Sequence, residues 1–129
     1  MSAERYVLIL TREQAETTKD ALELYARLKI GQFERITELM LDEQSVDEYC
    51  KRRILSNDLL RIVANILFGS NVYDYPDVQK DKIYHRAWNI YALLRYRMAW
   101  HDNQKGGIGN CYDVPYEWGG EPVPECKVE

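Results

Sequence analysis

The chain has 129 residues, which suffices for one domain with its own core, and 46% of them are apolar while 29% are charged. That balance excludes a disordered chain, and the net charge of −4 argues against general binding to duplex DNA. The sequence has no apolar run of about 18 residues and no signal-peptide pattern, so we expect a single cytoplasmic domain, residues 1–129.

The first third of the chain predicts a strand followed by a helix. Residues 5–10 are rich in β-branched and aromatic side chains, which favours a strand. Thr11 and Gln14 have the spacing of a capping box, which starts a helix. Apolar positions at helical spacing continue to about residue 41, and Gly31 predicts either a bend or a short break in that pattern.

The middle of the chain predicts two further helical segments. Ser45 and Glu48 form a second capping box, and apolar positions follow as far as Leu67. The polar residues 56–58 leave open whether this region is one helix or two. Cys50 lies within the pattern and is predicted to be buried. Asp77 is predicted to cap a third long helix over residues 78–101.

Residues 102–129 predict an extended C-terminal tail, because they contain prolines and only short alternations of apolar and polar side chains. The simplest closure pairs this tail with the N-terminal strand, and Cys111 and Cys126 would then face each other as reduced thiols. The predicted fold is therefore α+β and mainly helical, with about three long helical segments on a small antiparallel sheet.

The segment of residues 82–101 is the most unusual part of the sequence. It contains five large aromatic residues, four cations, two histidines and no carboxylate. Stacking rings beside guanidinium groups suit a nucleobase with a phosphate. The candidate ligand-binding residues on this helix are His85, Arg86, Asn89, Arg95, Tyr96, Arg97 and Trp100. In the alternative interpretation, Tyr84, Trp88 and Tyr91 are core and the arginines pair with the acidic first helix.

Other motifs carry less chemistry. The cations at residues 51–53 either line the same pocket or form a solvated turn, and residues 105–110 lack the Lys-Ser/Thr ending of a P-loop. His85 and His101 are sixteen residues apart with no completing ligand set, and no nucleophile motif occurs. We therefore expect no catalytic residues, no metal site and no cofactor.

The sequence from Tyr6 to Ile36, YVLILTREQAETTKDALELYARLKIGQFERI, resembles the start of small accessory proteins encoded by phages and prophages. The segment HRAWNIYALLRYRMAWHDN, residues 85–103, is similar to them as well. That resemblance implies a setting in which small proteins counter bacterial defence, and it brings no catalytic motif.

Three functions remain open at this point, none of them enzymatic. The first is a homo-oligomeric anti-defence protein that sequesters a small anionic nucleotide signal, either a cyclic nucleotide or an ADP-ribose derivative. The alternative is an inhibitor or adaptor that binds a host defence protein. The third is a structural phage protein whose long helices serve self-association.

Overall fold

The computed structural model describes residues 4–42, 46–69, 81–117 and 119–129, and within those ranges it contains four α-helices and no strand. The helices are α1 (Arg12–Lys29), α2 (Glu34–Met40), α3 (Val46–Phe68) and α4 (Lys82–Asp102).

Helix α1 begins at the predicted capping box. The Thr11 hydroxyl accepts a hydrogen bond from the Gln14 backbone N–H at 3.2 Å, and the Gln14 side chain accepts from the Thr11 N–H at 2.9 Å. The helix ends before Gly31, whose φ of +86° is rarely adopted by residues with a side chain. Gly31 therefore separates α1 from α2, and of the two alternatives at this residue the short break is correct.

Helices α3 and α4 refine the predicted boundaries. Helix α3 runs without interruption through residues 56–58, so the two-helix alternative for this region is wrong. Helix α4 starts after Asp81, whose carboxylate accepts from the Tyr84 N–H at 2.8 Å. The predicted caps Ser45 and Asp77 lie outside the described residues.

The core lies between α1 and α4. Ala26 of α1 and Ile30, the residue that follows this helix, pack against Tyr84 and Ala87 of α4, and the small alanines allow the two helices to approach closely. Helix α2 packs on α3 and also contacts α1. The ring of Phe33, just before α2, meets the ring of Phe68 edge-on with centroids 6.1 Å apart. Helix α3 therefore lies at the periphery of the core rather than within it.

The predicted antiparallel sheet is wrong, because the described residues form no strand. The two chain ends do approach each other, since Arg5 Nη2 lies 2.8 Å from Glu125 Oε1, but they meet through side chains. Pro122 and Pro124 explain why a ladder does not form. They sit two residues apart, so the same edge of the tail lacks two successive N–H donors. An isolated pair of strands is also marginal in water.

The predicted burial of Cys50 is likewise wrong. Cys50 is exposed on α3, because that helix covers only part of its surface against α2. Cys111 and Cys126 are partly buried free thiols, and they belong to no pair of strands.

Candidate functional site

Helix α4 is covered on two sides, by α1 and by the C-terminal tail. On the α1 side its rings form a continuous cluster. Tyr84 stacks on Trp88 with centroids 6.1 Å apart, and Trp88 meets Tyr91 at 5.0 Å. The Arg27 guanidinium of α1 lies 5.6 Å from the centre of a Trp88 ring, a cation–π distance. The alternative interpretation, in which these three rings belong to the core, is correct for Tyr84 and Tyr91, which are buried, and Trp88 is partly buried against them.

A buried carboxylate fixes the position of α1 relative to α2. Glu23 is 7% exposed, and its Oε1 accepts from Arg27 Nε at 2.8 Å and lies 3.3 Å from Arg35 Nε. Arg35 also pairs with Glu38, at 2.7 Å, which is the main reason that the pKa of its guanidinium is raised. A buried charge persists only where it is paired in this way.

The tail is held on the other side of α4 by the residues that the sequence suggested for ligand binding. His85 is 1% exposed and lies directly beneath Gly119, where a Cβ atom would overlap the imidazole. Two Arg86 nitrogens, Nε and Nη2, each donate to an oxygen of the Glu121 carboxylate at 3.2 Å. These two contacts between the tail and α4 therefore depend on packing and charge rather than on a backbone ladder. Trp100 supplies a third contact.

Trp100 anchors the start of the tail. Its indole Nε1 donates to the Tyr112 carbonyl at 2.9 Å, and its ring meets the Tyr112 ring edge-on at 5.8 Å. Gly106 passes against the same indole. Arg97, one turn earlier, lies over the Tyr96 ring at 5.6 Å. Burial raises the pKa of the Cys126 thiol in the tail, and the nearby Arg97 charge opposes that rise.

Two open clefts remain between α4 and the tail, on either side of the short segment of residues 114–116. The first has a volume of about 280 Å³. It is lined by Trp88, Ala92, Arg95, Asn110, Asp113, Val114, Pro115 and Tyr116. The second has a volume of about 230 Å³. It is lined by Asn89, Leu93, Tyr96, Arg97, Val114, Pro115, Tyr116, Glu117 and Val123.

The structure thus separates the seven candidate residues into four that line a cleft and three that hold the tail. Arg95 lines the first cleft, and Asn89, Tyr96 and Arg97 line the second. The other three, His85, Arg86 and Trp100, hold the tail. The expectation that the α4 arginines pair with the first helix is wrong for Arg86, whose partner Glu121 belongs to the tail.

Arg95 is the most distinctive group in either cleft. Its Nη1 donates to the Tyr91 hydroxyl at 3.1 Å, and its guanidinium carbon lies 5.0 Å from the centre of the Tyr91 ring. Its Nε is buried and has no hydrogen-bond partner among the described residues. Burial raises the pKa of Tyr91, and the Arg95 charge opposes that rise. The Arg95 guanidinium therefore lies at the wall of the cleft, beside an aromatic ring, where it can meet an anionic group.

Sequence reasoning missed the tail's share of the first cleft. Asn110, Asp113 and Tyr116 come from a segment that was interpreted as extended structure without a site. The signal that could have indicated a binding site is that these polar and aromatic residues follow a glycine-rich turn. Which helix the tail covers is a tertiary question that the local pattern does not answer.

The described residues hold no group of three or more His, Cys, Asp or Glu side chains placed to bind a metal ion. Within the same residues, every helix is too short or too polar to cross a membrane.

Comparison with known proteins gives no assignment: no protein-family model matches the chain, no curated protein is significantly similar to it, and no solved structure matches its fold. Functional inference therefore depends on the site itself.

Proposed function

We propose that this protein binds a small anionic, nucleotide-like ligand in the first cleft, between α4 and residues 110–116, and that it does so without chemical conversion. The observation that carries the proposal is Arg95, a partly buried guanidinium that lines the cleft and lies 5.0 Å from the centre of the Tyr91 ring. A ligand phosphate would accept a charge-assisted hydrogen bond from this guanidinium, which contributes about 1.5–3 kcal/mol.

The size and walls of the cleft suit a ring. A volume of about 280 Å³ is near the lower end of small-molecule sites. Trp88 and Tyr116 are both among its lining residues and supply flat apolar surfaces. Stacking of a base on an aromatic side chain contributes about 1–3 kcal/mol.

The charges around the cleft favour a ligand with few negative groups. Arg95 is the cation in its lining, while Asp113 contributes a carboxylate, and Asn110 offers both a donor and an acceptor. One phosphate on the Arg95 side, with hydroxyl or amine donors towards Asp113, satisfies this set. A polyphosphate would be repelled by the carboxylate.

Sequestration of a nucleotide signal by a phage accessory protein is the setting that fits such a site, and it also belongs to the proposal. Binding alone suffices for sequestration, so a cleft without a nucleophile and base is adequate. The cell compartment would be the cytoplasm, where such signals are made.

Calorimetry with AMP, a cyclic mononucleotide and ADP-ribose tests the proposal. We expect at least one of these probes to bind, and Arg95→Gln to weaken that binding by about 10-fold or more, because a charge-assisted hydrogen bond contributes about 1.5–3 kcal/mol. Tyr116→Leu should also weaken it, through loss of stacking. Tyr116 is exposed, so this variant should fold.

The matched control is Arg53→Gln, which removes an exposed cation from α3, far along the chain from the cleft. Its affinity should equal that of the unsubstituted protein. Absence of heat with all three probes, or equal weakening by Arg53→Gln and Arg95→Gln, would contradict a site at Arg95.

A second candidate function is a protein-binding inhibitor or adaptor, and one observation favours it: the apolar side chains of α3 that face away from the core are exposed. Contiguous exposed apolar surface marks an interaction site. What covers that surface decides between a complex with another protein and a complex with a second copy of this chain.

A further inference from the structure

Helix α3 has two apolar stripes on opposite sides. The inner stripe contains Leu60, Ala64 and Phe68 and faces α2, where the Ser56 hydroxyl also lies 2.6 Å from the Thr37 hydroxyl. The outer stripe contains Leu55, Leu59, Ile62 and Ile66, which are 55–72% exposed. At about 100° per residue the two stripes point in opposite directions. The outer stripe therefore has no cover within the described residues.

The outer stripe has the spacing of a coiled-coil seam. Its members are separated by four, three and four residues, which is the alternation of the two apolar positions of a heptad. Val63 and Leu67, 42% and 66% exposed, widen the stripe on one side. Such a seam fits another helix rather than a small molecule.

We propose that the partner on this seam is a second copy of the chain, with the two α3 helices antiparallel across a two-fold axis. In that register Leu55 lies opposite Ile66 of the partner subunit, and Leu59 lies opposite Ile62 of the partner subunit. Each of the four layers then joins one Leu to one Ile, so the seam is complementary to itself. Self-complementarity of this kind is what a two-fold interface requires.

The charges at the two ends of α3 select the antiparallel arrangement. Towards its N-terminus the seam continues into Glu48 and Arg52, which pair with each other at 3.0 Å. In a parallel pair, Arg52 would lie opposite Arg52 of the partner subunit, and like charges would meet. In the antiparallel pair, Arg52 lies opposite Gly69 of the partner subunit, at the carbonyl end of that helix, where a cation is favoured.

Gly69 also leaves room for this contact. It has a φ of +66°, and among the described residues no neighbour lies within 4 Å of where a Cβ would stand. The described residues therefore leave space for the long Arg52 side chain to lie across it. Of the three cations at residues 51–53, Arg52 is then the one that meets the negative end of the partner helix.

Light scattering after size exclusion tests the dimer, because one chain has a mass of 15.2 kDa and a dimer has twice that mass. We expect a dimer for the unsubstituted chain and a monomer for either Leu59→Glu or Ile62→Lys, each of which places a charge in the seam. The matched control is Ile54→Glu. Ile54 is 58% exposed but lies outside the seam, so this variant should remain dimeric.

Mixing the two charged variants tests the register. The carboxylate at position 59 of one chain would lie opposite the ammonium at position 62 of the other only in the antiparallel arrangement. We therefore expect an equimolar mixture to return to the dimer mass, while circular dichroism shows that each variant alone keeps its helices.

Three outcomes would overturn the proposal. A monomeric unsubstituted chain at every concentration would leave the seam for another protein. A dimer that survives both substitutions would place the interface elsewhere, and folded variants that do not recombine would exclude the antiparallel register. None of these outcomes bears on ligand binding at Arg95.

Discussion

Helices α3 and α4 have similar lengths, 23 and 21 residues, yet the protein covers them very differently. Helix α4 carries rings and cations that look suited to an exposed face, and seven of its residues are buried. Helix α3 is richer in aliphatic side chains, and only Ala64 is buried among its described residues. The difference shows that the composition of a helix does not determine which of its faces the fold uses.

The reason lies in what packs against each helix. Helix α4 is enclosed by α1 and by the C-terminal tail, which contributes charged and aromatic side chains that match its own. Helix α3 meets only short α2 among the main helix contacts, so one side is satisfied and the opposite side is not. The tail therefore covers polar side chains of α4, while apolar side chains of α3 are exposed.

Gly119→Ala should produce the largest loss of stability, because it disrupts the cover of α4. Gly119 has a φ of +65°, and a Cβ would overlap His85, which is too deeply buried to move aside. We expect a loss of about 3 kcal/mol in the free energy of unfolding, from strain of about 1 kcal/mol and overpacking of about 1–3 kcal/mol. Urea denaturation measures it.

The control for this variant is the adjacent glycine. Gly120 has a φ of +70°, but no neighbour among the described residues lies within 4 Å of its Cβ position, so Gly120→Ala should lose only the strain of about 1 kcal/mol. Equal losses for the two variants would mean that the tail does not press on His85, and the contrast between α4 and α3 would then weaken.

Glu23→Gln should produce the next largest loss in the free energy of unfolding. This variant tests the ion pairs that hold α2 beside α1, and α3 packs in turn on α2. The neutral amide would leave Arg27 and Arg35 without their shared carboxylate. Removing one partner of a fully buried pair costs about 3–5 kcal/mol, and because both arginines are partly exposed we expect about 2 kcal/mol. Denaturant unfolding provides the value.

Glu38→Gln serves as the comparison for that junction. It also removes a carboxylate paired with Arg35, but the Glu38 side chain is 60% exposed. Exposed pairs contribute about 0–1 kcal/mol, so this variant should be nearly neutral. A loss at Glu38 that matches the loss at Glu23 would show that burial is not what makes the Glu23 pair important.

Local features of the fold could be predicted from the sequence, and long-range ones could not. The Thr11 capping box and the irregularity at Gly31 depend on residues a few positions apart; the capping box is confirmed, and the structure selects the break from the two alternatives left open at Gly31. The sheet required residues 5–10 to pair with a tail about a hundred positions away. The prolines of the tail, Pro122 and Pro124, are typical of an extended segment, and only the structure shows that this segment forms no strand pair.

The candidate site shows the same division. The pattern of α4 identified Arg95 and Arg97 as cleft residues, because cations and rings shared a helix without carboxylates. It could not show that Glu121, 35 residues away, neutralises Arg86. On α3, the helical pattern marked Leu59 and Ile66, which are exposed, and did not include Ala64, which is buried. Only the structure separates Leu60 and Ala64, which face α2, from Leu59 and Ile62, which face outwards.

The smallest expected effect concerns the end of α4, which is tied to the start of α1. Arg12 Nη2 donates to Asp102 Oδ2 at 2.7 Å, and this hydrogen bonding lowers the pKa of Asp102 below its ordinary value of 3.8. A carboxyl with a lowered pKa stabilises the folded state above its unfolded pKa, and that contribution is lost as the pH falls through the folded pKa. The loss should therefore occur below about pH 3.8.

An NMR titration of the Asp102 carboxyl in the unsubstituted protein and in Arg12→Gln measures this directly. Without the guanidinium, the pKa of Asp102 should rise towards 3.8, and the acid-dependent part of the stability should shrink with it. Helix α3 provides the contrast, because its Arg52–Glu48 pair lies within one helix and joins no two elements. Glu48→Gln should therefore leave the α1–α4 contact intact. If the pKa of Asp102 did not move in Arg12→Gln, the tie between α1 and α4 would not be formed in solution, and α4 would be held by its rings and the tail alone.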